Sequence, residues 1–107
     1  MRDYELMVVL DPNLDEAALE AMNTRIQSMV TQRGGTIENV DVWGRRRLAY
    51  PIGRYRDGVY ILMRMQLPPN AAAEIERALK LTESVIRHLL VRAEGLAPLA
   101  AATATHE

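Results

Sequence analysis

Two stretches of this chain repeat their apolar residues at helical spacing, and stretches with the two-residue period of strands flank each of them. Leu19, Met22, Ile26, Met29 and Val30 fall on one side of a first helix, and Ala71, Ile75, Ala78 and Leu79 on one side of a second. Tyr4 to Leu10 alternates, with Leu6, Val8 and Leu10 on a common face, which predicts a strand. Thr36 to Tyr50, Val59 to Leu67 and Val85 to Arg92 read as three further strands, with a bulge in the first of these where apolar parity shifts between Ile37 and Val40. Turn chemistry supports these limits. Asp11-Pro12-Asn13 turns the chain, Asp15 is placed to cap the first helix and Gly34-Gly35 to end it. Pro51, Gly53 and Gly58 bracket a loop carrying Arg54 and Arg56, and Pro68-Pro69 stops a strand before Asn70 caps the second helix.

The order is therefore β-α-β-β-α-β. Each helix has one apolar stripe that water cannot cover. Packing both stripes on one face of a four-stranded antiparallel sheet buries them together, which is the α+β, ferredoxin-like split βαβ arrangement. Right-handed crossovers put the first and third strands in the middle and the second at an edge. With 107 residues the chain forms one domain, expected over residues 1–94. Residues 95–107 are mostly alanine and threonine with little bulk to bury, and are expected to be a disordered tail.

Composition removes whole classes of function. The absence of cysteine excludes disulfides, thiolate nucleophiles and cysteine metal sites. The charged start Met1-Arg2-Asp3-Tyr4-Glu5 is unlike a signal peptide, and no apolar run approaches the roughly 18 residues of a membrane span. A cytosolic protein without a membrane partner is expected. His88 and His106 have no nucleophile or carboxylate at catalytic spacing, and no cluster has metal-ligand spacing. The loop before the first helix, Leu10 to Glu16, is acidic and lacks glycine, so it would repel a phosphate rather than cradle it. Neither an enzyme nor a cofactor or small-molecule substrate is expected.

One segment departs from this even background. Trp43-Gly44-Arg45-Arg46-Arg47-Leu48-Ala49-Tyr50 sets three arginines between two aromatics, with Arg54 and Arg56 close behind. Residues 1–41 carry three basic and eight acidic groups, a balance of -5, whereas residues 42–57 carry five arginines and one aspartate, a balance of +4. Screening over about 8 Å makes the local patch count and the total of -1 irrelevant to it. Guanidinium groups fork onto phosphates and carboxylates and stack on planar groups. The run is a contact for nucleic acid or an acidic partner, or a charged guard on an edge strand. On the side of the sheet away from the helices, parity places Met7, Val9, Tyr60 and Leu62, joined by Leu89 and Val91, an apolar patch that suits a partner. Tyr60 is expected to be the one aromatic there, too few for the base-stacking platform of RNA-recognition modules with the same element order. Arginine contacts to phosphate and ribose fit better.

These residues also carry a family resemblance. Met1-Arg2-x-Tyr4-Glu5, Trp43-Gly44-Arg45-Arg46-x-Leu48-Ala49-Tyr50-Pro51-Ile52, Gly58-x-Tyr60 and Val85-Ile86-Arg87-x-x-x-x-Arg92 together resemble the bacterial small-subunit ribosomal protein six family, from Met1 to about Glu94. The resemblance implies a ferredoxin-like, non-enzymatic ribosomal component in the cytoplasm. It implies binding to the central domain of 16S ribosomal RNA and pairing with small-subunit ribosomal protein eighteen. By that resemblance Arg2, Arg46, Arg47, Arg54, Arg87 and Arg92 are candidate RNA contacts. Trp43, Arg45, Tyr50, Tyr60, Leu62, Leu96 and Leu99 are the candidate surface for the protein partner, and the free chain is expected to be a monomer. A ferredoxin-like oligomerisation or ligand-sensing module is the alternative; such a module would self-associate in dilute solution and ignore RNA.

Overall fold

A computed structural model describes residues 1–93. Its elements are β1 (Arg2–Leu10), α1 (Glu16–Thr31), β2 (Thr36–Ile52), β3 (Tyr55–Leu67), α2 (Ala71–Lys80) and β4 (Val85–Arg92). The strands form one antiparallel sheet in the order β2-β3-β1-β4, with β2 at an edge as expected. The boundary near residue 94 and the disordered tail lie outside the described residues.

Both helical stripes meet one face of this sheet. Leu6, Val8 and Leu10 of β1 and Ile61, Met63 and Met65 of β3 share a single buried cluster with Ile26 and Val30 of α1 and Ile75 and Leu79 of α2. Asp15 caps α1 through its carboxylate, which accepts from the Ala18 amide at 2.8 Å. Asn70 occupies the corresponding place before α2 without capping it. Its backbone is helical (φ -94°, ψ -6°) rather than extended, so its side chain makes no cap bond, and the Ala71 amide donates to Pro68 O at 3.1 Å instead.

The largest difference from the sequence reading lies between Pro51 and Gly58. The loop expected there is instead a continuation of the β2–β3 hairpin, closed by the two residues Gly53 and Arg54 between the paired Ile52 and Tyr55. Gly53 has φ +55°, and glycine at the first position of a two-residue turn suits the twist of the flanking strands. Leu10 and Val59 make the last β1–β3 pair, so the hairpin beyond Arg45 and Val59 projects past its neighbour as an arm.

Candidate nucleic-acid and protein interface

The arginine run is sorted by a bulge. Val42 pairs with Ile61 and Gly44 with Tyr60, which leaves Trp43 as an extra residue in β2. Gly44 sits at φ +81°, a left-handed backbone that costs other residues energy. The extra residue reverses the alternation of everything after it. Trp43 and Arg46, three apart and otherwise on opposite faces, now share the face turned away from the helices. There the Trp43 and Tyr60 rings stack at 6.3 Å between centroids and 14° between planes, and the Arg46 guanidinium lies over Trp43 at 5.1 Å.

The three adjacent arginines consequently have three environments. Arg45 reaches diagonally across the hairpin to Asp57 at 3.4 Å, Arg46 lies on the indole, and Arg47 is exposed. Farther out, the pairing jumps from Arg47–Asp57 to Ile52–Tyr55, so four residues of β2 oppose one of β3. This second irregularity turns Leu48 inward and leaves Ala49, Tyr50 and Pro51 exposed. Leu48 is buried, and the Tyr50 hydroxyl accepts a hydrogen bond at 2.9 Å from Arg87 of β4, whose guanidinium also lies over the Tyr50 ring at 5.6 Å. At the hairpin tip Arg54 donates to the Tyr55 hydroxyl at 3.3 Å, and that hydroxyl donates to Asp11 at 3.1 Å. The bond to Tyr55 raises the pKa of Arg54 above its ordinary value, so the group stays charged.

Several expected site residues are thus assembled and others are not. Trp43, Arg46 and Tyr60 form one cluster and Tyr50 and Arg87 a second, with Val9 of β1 between them, paired with Tyr60 on one side and Arg87 on the other. Arg2 and Arg92 are exposed at the other end of the sheet, where Arg92 pairs with Tyr4 and Arg2 with Leu67. Five strand positions, roughly 17 Å, separate Arg92 from Arg87. Leu62 is corrected: it is buried, as are Met7 and Val9, because these mid-sheet residues cover one another across neighbouring strands. Leu89 is the exposed part of the expected patch. The expectation of one aromatic on the open face is also corrected, since the bulges add Trp43 and Tyr50 to Tyr60. Each added ring, however, already has a guanidinium on it. Leu96 and Leu99 lie outside the described residues. Sequence reasoning missed Asp11, Tyr55 and Asp57, whose contacts depend on the register of the hairpin and the position of its tip and leave no spacing signal.

The sequence model of the family described as Ribosomal protein S6 matches residues 3–92. The chain belongs to the ribosomal protein S6 family. It is 45% identical over 92 residues to the small ribosomal subunit protein bS6 of Symbiobacterium thermophilum, covering 86% of this chain and 97% of that one. It is 44% identical over 103 residues to the bS6 of Leifsonia xyli, covering 95% of this chain and 80% of that one. The crystal structure of 30S ribosomal protein S6 from Thermotoga maritima superposes with a TM-score of 0.84 at 26% identity, covering 97% of this chain and 95% of that one. As an S6-family member the chain is a non-enzymatic, cytoplasmic component of the small ribosomal subunit, and its partners are ribosomal RNA and ribosomal proteins. Among the described residues no helix is long and apolar enough to cross a membrane.

Proposed function

We propose that this chain binds the central domain of 16S ribosomal RNA together with small-subunit ribosomal protein eighteen, and that it is a monomer until it does so. The observation that carries the reading is the continuity of the projecting arm with the open sheet face. The arm offers Arg47, Arg54 and Arg56 to phosphates, while the Trp43–Tyr60 stack and exposed Leu89 offer planar and apolar area to a protein. Arg46 and Arg87, each laid on a ring, stand where the two surfaces meet, so one binding event can use both. Arg2 and Arg92 would serve a second RNA contact at the other end of the sheet.

The test is titration of the full chain onto a central-domain RNA fragment over a range of salt, with and without protein eighteen. Tight binding is expected with both present, with a log–log salt slope that falls by about 0.7–0.9 for each phosphate contact removed when arm arginines become alanine. Affinity that is indifferent to protein eighteen, or equal for an unrelated RNA of the same length, would reject the reading. Concentration-dependent dimerisation of the free chain would favour a self-associating module.

A further inference from the structure

The arm poses a mechanical problem. A two-stranded hairpin that runs past the neighbouring strand is marginal in water unless it is held back, and its arginines would otherwise sample many orientations before meeting a phosphate. Two tyrosine hydroxyls meet this problem from opposite strands of the arm. Tyr50, on β2, accepts from Arg87 of β4, 37 residues away in sequence at 2.9 Å. Tyr55, on β3, donates to Asp11 in the β1–α1 loop, 44 residues away at 3.1 Å. Asp11 is itself held: its carboxylate accepts from the Asn13 amide at 2.9 Å, and its own amide donates to Ser84 O at 2.9 Å just before β4. Between the two ties the arm is pressed against the sheet at Gly58, where an added Cβ would lie 2.2 Å from a Val9 methyl. No side chain fits there, so the two backbones can close.

We propose that Tyr50 and Tyr55 are positioning residues that clamp the β2–β3 arm to β4 and to the β1–α1 loop, and so fix Arg47, Arg54 and Arg56 in one orientation for RNA. The proposal rests on the RNA reading above and adds its geometry. The hydroxyls act by removing freedom from the unbound arm, and need not touch the RNA. Their loss therefore weakens binding without changing the number of phosphates engaged.

Tyr50→Phe/Tyr55→Phe keeps both rings, and with them the stacking of Arg87 on residue 50, and deletes both hydroxyl bonds. In the full chain it is expected to fold with wild-type circular dichroism and to show increased motion of residues 47–56 by NMR relaxation. It should bind the RNA–protein-eighteen complex roughly three- to tenfold more weakly, with the wild-type salt slope. Arg47→Ala/Arg54→Ala/Arg56→Ala is expected to flatten that slope instead. Wild-type affinity or an unmoved arm in the tyrosine variant would overturn the clamp. A slope flattened as in the arginine variant would also overturn it, by making the hydroxyls part of the contact. An arginine variant indistinguishable from wild type would remove the arm from the RNA interface, a failure of the functional reading that is separate from loss of the clamp.

Discussion

On the helix-covered face, side chains meet by unbroken alternation: Leu6, Val8 and Leu10 of β1 lie beside Met63, Ile61 and Val59 of β3, pair by pair. On the open face, Trp43, Arg46 and Tyr50 come together through two of the three breaks in the alternation of β2, at Trp43–Gly44 and between Arg47 and Ile52; the third lies near Ile37. The first face is selected for burial, which rewards a regular pattern and tolerates any residue of suitable size. On the second, the bulges decide the position of a few polar and aromatic groups, since a bulge re-aims a side chain. Under the proposed function, the contacts to partners and the helix-packed core lie on opposite sides of one sheet, although Met7, Val9 and Leu62 are buried on the open side as well.

That separation makes the helix-covered face the place for the largest effects. Ile26 and Leu79 are both fully buried, one from each helix. Ile26→Ala and Leu79→Ala are each expected to destabilise the domain by about 2–5 kcal/mol through lost transfer energy and a residual cavity. Urea unfolding checks this, and both should bind RNA normally under conditions where they remain folded. A wild-type midpoint for either variant would show that its stripe is not part of the core.

The same contrast explains what was legible in the sequence. Helix faces, strand order and the edge location of β2 followed from apolar period and the handedness of crossovers, because each helix has one way to hide its stripe. The bulge near Ile37 left a trace for the same reason, since its neighbours are core residues. The bulge at Trp43 left none in the apolar pattern: the residues after it are arginines, and a charged residue reads the same on either exposed face. Pro51, Gly53 and Gly58 are turn formers and point to a loop, yet Gly58 is buried inside β3, where the approach of Val9 excludes any side chain. Contacts such as Tyr55 to Asp11 depend on where the hairpin tip lies, and no local rule connects residues so far apart.

A smaller effect sharpens the role of the open face. Nothing lies within 4 Å of a Cβ built on Gly44, so Gly44→Ala meets no obstacle and its cost is that of a left-handed backbone alone, about 1–2 kcal/mol. If the chain escapes the strain by undoing the bulge, Trp43 and Arg46 return to opposite faces and the stack is lost. Trp43 is the one tryptophan of the chain, so its emission reports the event directly. A shifted emission with modest destabilisation is expected. Wild-type emission and stability together would mean that the bulge does not depend on glycine.

The smallest effect belongs to the run's first arginine. Arg45 and Asp57 are 3.4 Å apart, but their side chains are 62% and 37% exposed, so water screens the pair and ordering two side chains opposes it. Arg45→Ala, Asp57→Ala and the double variant form a cycle whose coupling is expected to stay below about 0.5 kcal/mol. On the helix-covered face an uncompensated deletion is felt in full, whereas here solvent replaces the missing partner. A coupling near 2 kcal/mol would require a desolvated ion pair, and the arm would then be a structural element in its own right. A coupling near zero leaves Arg45 available to a partner's carboxylate, so exchanging Asp57 for that partner would cost the free chain almost nothing.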